Sequence, residues 1–263
     1  MPSGLTEVLA FVWACHSAAS SPREIQPEVQ MGESLMVDVG GHRLHAIRKG
    51  KGRPAVVFES GWGSEIRTWE YVFATVAEFT TVVAYSRAGN GDSEAGPLPR
   101  TPERIAEDLH ILLRQMNIEP PYVLVGHSLG GLYIRVFAAL HPEEVSGLVF
   151  IDAMHERLFK EFERLDPDGW VRTLEIQDQM IARQSKQLQS EVLEYRNVQA
   201  AGALSKAPSL TDIPVIVLTS VKPDESQWVR NTPEGMKVWQ QLQAEWSTSS
   251  SKGRQIVTDR SGI

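Results

Sequence analysis

The stretch Tyr122-Val123-Leu124-Val125-Gly126-His127-Ser128-Leu129-Gly130-Gly131 decides how this chain is read. Residues of buried-strand character run into Gly-His-Ser-Leu-Gly, and "LYIRVFAALHP" (132–142) follows as an apolar helix stopped at Pro142. A G-x-S-x-G step between a strand and a helix is a sharp, strained turn, so the residues flanking the serine must be small. Such a turn lifts the Ser128 Oγ clear of the sheet. The helix that follows points its N-terminus at the same place and favours negative charge developing there.

Outward from this turn, strand and helix patterns alternate. "PAVVFES" (54–60), "TTVVAYS" (80–86), "SGLVFID" (146–152) and "IPVIVLTS" (213–220) are continuous apolar runs, as expected of strands buried on both faces. "RQIVTD" (254–259) is a shorter, final strand. "SLMVDV" (34–39) and "HRLHAIR" (42–48), separated by Gly40-Gly41, predict an opening hairpin. Trp69, Val72, Phe73 and Val76 share one helix face, as do Ile105, Leu109, Leu112 and Met116. "EGMKVWQQLQAEW" (234–246) predicts a late helix. The alternation predicts an α/β fold with a mostly parallel sheet flanked by helices.

The alternation breaks between 155 and 211, where "TLEIQDQMIARQSKQLQSEVLEYRNVQ" (173–199) is rich in helix formers. A helical cap inserted over the edge of the sheet is expected there. The resulting division is a leader and linker over 1–33, a first core part over 34–154, a cap over 155–211 and a second core part over 212–263.

The chain has 263 residues, 42% apolar and 22% charged, enough for a sizeable core. A net charge of -7 gives no electrostatic footprint for nucleic acid. No apolar run reaches the roughly 18 residues of a membrane span. Cys15 is the only cysteine, so no internal disulfide forms and the redox compartment is open. "EVLAFVWAC" (7–15) followed by "HSAAS" is signal-like, although no Lys or Arg precedes it. Both a cytoplasmic and a secreted location are compatible with it. No H-E-x-x-H or paired-cysteine spacing suggests a metal, and no G-x-G-x-x-G follows the first strand to suggest a dinucleotide, so no cofactor is expected.

With the Ser128 turn in this context, the chain resembles the α/β-hydrolase superfamily, in its branch of lipases, esterases and related serine hydrolases. The resemblance runs from about Ser34 to the end. "FESGWGS" (58–64) stands where that family keeps its oxyanion loop. "YSRAGNGDS" (85–93) is similar to its Asp-Arg-x-Gly-x-Gly-x-Ser turn, with Ser86 in place of the Asp. "LVFIDAMHE" (148–156) matches the strand after the nucleophile helix.

The resemblance implies attack by Ser128 on the acyl carbonyl of a small carboxylic ester or similar substrate, through an acyl-serine intermediate. The oxyanion donors would be the backbone N–H groups of Leu129 and Trp62, with Gly61 and Gly63 allowing close approach. Trp62 also reads as a lid or core aromatic, and the two roles can coexist. The acid is Asp152 or, alternatively, Asp224 in "TSVKPDES"; Lys222 and Pro223 make the second loop irregular and favour Asp152. The aspartate-nucleophile chemistry of dehalogenases and epoxide hydrolases does not fit a serine.

The base is harder to place. The resemblance expects a Gly-His step after the last strand, and "DRSGI" puts Ile263 there. Of the seven histidines (His16, His42, His45, His110, His127, His141 and His155), only His155 follows both Ser128 and Asp152. The expectation is therefore a serine hydrolase truncated at its catalytic histidine, lacking the last helix, and impaired for that reason. The alternative is a non-catalytic hydrolase-fold binding protein or a truncated remnant.

Overall fold

The computed structural model describes residues 31–204, 210, 212–223 and 228–260. Eight strands form one sheet: β1 (Glu33–Asp38), β2 (Arg43–Lys49), β3 (Ala55–Glu59), β4 (Val82–Tyr85), β5 (Tyr122–His127), β6 (Val145–Ile151), β7 (Val215–Ser220) and β8 (Gly253–Thr258). Their spatial order is β1-β2-β4-β3-β5-β6-β7-β8. β1 pairs antiparallel with β2, and β2 antiparallel with β4; every later pairing is parallel. The α/β sheet and its opening hairpin are thus as the apolar pattern predicts.

Helices cover both faces. On one lies α1 (Glu70–Ala77), whose Phe73 and Val76 pack with Phe58, Trp69 and Val82. On the other lie α2 (Pro102–Gln115) and α3 (Gly130–Leu140), which join Leu124, Leu148 and Phe150 in the larger core. All four residues of the predicted α2 face, Ile105, Leu109, Leu112 and Met116, are buried; of the α1 face, Val72 is only half-buried. The Thr101 side chain accepts the Arg104 N–H, and Pro102 follows it, so α2 starts with a cap and a residue that lacks an N–H to satisfy.

Between β6 and β7 come α4 (Leu158–Leu165), α5 (Pro167–Ile181) and α6 (Lys186–Ala201). The single helix-rich stretch at 173–199 is split because Ser185 caps a new start, its Oγ accepting the Leu188 N–H. Gly202 ends α6 in the left-handed conformation, φ 72°. The insertion reaches the carboxyl ends of two inner strands: α6 bonds to residues that follow β3 and β4, at Trp62, Arg87 and Arg100. The late helix, α7 (Pro233–Thr248), buries Trp239, Leu242 and Trp246, and stacks Trp246 on Phe150 with centroids 4.7 Å apart.

The strand order fixes where a site can form. From β3 the chain moves to β4 on one side, and from β5 onward it builds the other side. At such a switch point the loops leaving neighbouring strands diverge and open a crevice at their carboxyl ends. The loop after β3 and the turn after β5 border that crevice.

Candidate active site

Ser128 follows β5 with φ 50°, a left-handed conformation that is uncommon for any residue with a Cβ. The surrounding contacts hold it there. Its N–H donates to the Ile151 carbonyl at 3.0 Å, and its carbonyl accepts from the N–H groups of Gly131 at 3.1 Å and Met154 at 2.9 Å. The glycines make the turn possible by close approach. A Cβ on Gly130 would stand 2.3 Å from the Glu59 carbonyl oxygen, and one on Gly126 would meet the Gly130 backbone at 2.8 Å. Ser128 itself is half-buried and heads α3, whose N-cap is Leu129.

The loop after β3 comes from the adjacent strand, with Glu59 opposite Gly126. A Cβ added to Gly61 would lie 3.3 Å from the Ser128 Cβ, so the loop passes directly beside the serine. Trp62 is half-buried, and its indole N–H donates to the Leu188 carbonyl of α6 at 3.0 Å. Among the described residues, no acceptor is bonded to the backbone N–H of Trp62 or of Leu129.

Asp152 stands one residue past β6, whose Ile151 pairs with His127. Ser128 and Asp152 therefore leave neighbouring strands side by side. Asp152 is also left-handed, φ 42°. Its Oδ1 accepts the Ser220 N–H at 2.8 Å, and its Oδ2 faces Arg230 Nη2 at 3.3 Å. Burial pushes its carboxyl up to about 6, opposed by the Ser220 N–H and by Arg230. Asp224, Ile263 and the signal-like segment at 7–15 lie outside the described residues.

No described histidine is hydrogen-bonded to Ser128 or Asp152. His155 stacks on Trp246 with centroids 5.1 Å apart, accepts the Arg157 N–H on Nδ1 at 3.2 Å, and has Nε2 3.5 Å from Glu245. These ring partners lie on the α4 and α7 side, and its carbonyl accepts from Gln199 of α6 at 2.5 Å. Burial lowers it to about 4, so it is neutral at pH 7. His127 is lowered to about 4 by burial too, and its ring meets Gly61 and the edge of Trp69. His110 and His141 stack on each other, 3.8 Å between centroids, with Glu107 and Glu144 around them. Of these, Glu107, His110 and His141 could hold a metal ion, a grouping that no metal-binding spacing of the sequence announces.

Sequence reasoning missed a buried ionic cluster beside the β3 loop. Arg87, Glu59 and Glu191 are all fully buried. Arg87 Nη1 lies 2.7 Å from Glu59 Oε1, and its Nη2 and Nε bind the two oxygens of Glu191 on α6 at 2.8 and 3.0 Å. The Tyr85 hydroxyl donates to the other Glu59 oxygen, and the Arg87 guanidinium lies 4.9 Å from the centroid of the Tyr133 ring. The available signals were a Glu closing the apolar run "PAVVFES" and an Arg opening a glycine-rich turn; neither names its partner.

The sequence profile of the alpha/beta hydrolase fold matches residues 54–250, and the chain belongs to that family. Among similar proteins, a probable transporter, efuK, of Hormonema carpetanum is 34% identical over 151 residues, 54% of this chain and 22% of that protein. The uncharacterized protein YqjL of Bacillus subtilis is 32% identical over 111 residues, 42% of this chain and 43% of its own length. The matches thus span less than half the length of either relative. Of solved structures, the enol-lactonase of Burkholderia xenovorans has the same fold, with a TM-score of 0.57, 17% identity, and coverage of 86% of this chain and 91% of that one. No helix among the described residues is long and apolar enough to cross a membrane.

Proposed function

We propose that the crevice between β3 and β5 is a serine hydrolase site acting on a small carboxylic ester or similar acyl compound. The observation that carries this reading is the left-handed Ser128 at a strand-to-helix turn, packed under Gly61. A strained corner of this kind is kept only where the surroundings over-determine it, and such corners cluster at functional sites. Ser128 Oγ attacks the carbonyl carbon, and the carbonyl oxygen takes up negative charge. The N–H groups of Leu129 and Trp62 then donate to that oxygen, and the α3 N-terminus adds a favourable dipole. The leaving alcohol departs with a proton, and water later releases the acid from Ser128.

Asp152 is the acid of this site. It is adjacent to Ser128 through the β5–β6 register, and its carboxylate is turned toward β7, where an imidazole supplied from beyond β8 would meet it. No described histidine is bonded to Ser128 or Asp152, so acyl transfer by the described residues alone is slow. The loss of a triad base lowers turnover by about 10⁶, while oxyanion donors leave a residual rate.

The test is hydrolysis of p-nitrophenyl butyrate by the 263-residue chain and by Ser128→Ala, each with and without added imidazole. The expected result is a slow, Ser128-dependent rate that imidazole raises. Identical rates for the two proteins under both conditions would leave the alternative, a hydrolase fold that binds its ligand without turning it over.

A further inference from the structure

We propose that Arg87 is a positioning residue that aims the Trp62 N–H into the site, and that Glu191 makes this depend on the docking of α6. The inference rests on the hydrolase reading above and adds to it a regulating contact from the helical insertion.

A guanidinium has five N–H donors in a fixed, planar fork and no acceptor. Here every one is used. Nη1 donates to Glu59 Oε1 and to the Ser60 carbonyl, 2.5 Å away. Nη2 donates to Glu191 Oε2 and to the Gly61 carbonyl at 2.9 Å, and Nε donates to Glu191 Oε1. Two of the five bonds therefore go to the backbone of the loop beside Ser128, and two go to one carboxylate on α6.

The Gly61 carbonyl and the Trp62 N–H belong to one peptide unit. That unit is planar and trans, so its N–H points opposite to its C=O. Holding the Gly61 oxygen on Arg87 therefore sets the direction of the Trp62 N–H. The Ser60 oxygen on the same guanidinium fixes the preceding peptide as well, so the loop cannot swivel about Gly61 without breaking charge-assisted bonds.

α6 holds both sides of this arrangement. Leu188 accepts the Trp62 indole N–H, and Glu191, three residues on and so on the same helix face, grips Arg87. If α6 moves away, the loop loses its indole tie and Arg87 loses its bidentate partner together. The oxyanion donor is then correctly aimed only while the insertion is closed over the site.

The test variant is Glu191→Gln. It keeps the shape of the side chain and leaves Arg87 compensated by Glu59, so the buried charge stays paired and the fold is retained. Two readouts are taken on the whole chain: amide hydrogen exchange across 60–66, and the rate of acyl transfer from p-nitrophenyl butyrate to Ser128 as a function of ester concentration. The expected result is faster exchange at Ser64, whose N–H donates to the same Gly61 carbonyl that Arg87 holds. The maximal acylation rate should fall about tenfold with the half-saturating concentration unchanged, because misaiming one oxyanion donor costs less than deleting it. Glu191→Asp should recover part of that rate.

Unchanged exchange overturns the coupling. Faster exchange with an unchanged maximal rate also overturns it, since Arg87 would then be structural only. If the parent chain itself forms no acyl-Ser128, the hydrolase reading fails, and the exchange data still decide whether Glu191 governs the loop.

Discussion

The turn after β5 and the loop after β3 lie side by side at the candidate site, yet they are held by opposite means. The β5 turn is held by backbone: an unusual φ at Ser128, glycines with no room for a Cβ, and main-chain bonds to Ile151 and Met154. The β3 loop is held from elsewhere in the chain, by the buried Arg87 after β4, which Glu191 on α6 grips in turn, and by the Leu188 carbonyl of α6. A turn held by its own backbone has few ways to move. A loop held from a separate helix moves when the helix does.

The difference can be broken first at its most buried charge. Arg87→Met leaves Glu59 and Glu191 facing each other without a cation, and should cost about 3–5 kcal/mol in urea unfolding, because a buried charge has lost its partner. Equal stability of parent and variant would show that the cluster is hydrated. On the other side, Gly130→Ala drives a Cβ into the Glu59 carbonyl, and a backbone atom cannot swing aside as a side chain can. The expected loss is about 3 kcal/mol, near the upper end for overpacking.

The corner at Asp152 gives a pH signature of similar size. Its carboxyl sits near 6 in the folded chain, above the ordinary unfolded value of about 4. The native state therefore holds the proton more tightly than the unfolded state. That contribution is complete below about pH 4 and is lost as pH rises through 6, by about 2–3 kcal/mol. Asp152→Asn lacks it, so the variant should gain stability relative to the parent between pH 4 and 7. His127 and His155, depressed by burial, act in the opposite direction but are present in both proteins and cancel in the difference. A constant difference across that range would mean that Asp152 is not desolvated. The smallest effect is expected at Gly63, where nothing lies within 4 Å of an added Cβ and only its φ of 68° resists substitution. Gly63→Ala should cost about 1–2 kcal/mol.

The same contrast explains what the sequence reveals. The apolar runs specify the strands, since each is buried on both faces, and the Gly-His-Ser-Leu-Gly step specifies the turn, since local sterics alone demand its small residues. The switch point follows from strand order, which the linear pattern does not contain. The Arg87 cluster joins positions 59, 87 and 191, and nothing local at any of them states the pairing. The break at Ser185 is hidden in the sequence by helix formers on both sides. His155 looked available by chain order, but its ring is taken up by Trp246, Arg157 and Glu245.

The most direct measurement is the mass of the peptide bearing Ser128 after the whole chain is treated with p-nitrophenyl butyrate. The account predicts a butyryl increment on Ser128 that accumulates because its release is slow, and that is absent from Ser128→Ala. Butyrylation confined to lysines, with Ser128 unmodified even in the presence of imidazole, would contradict it.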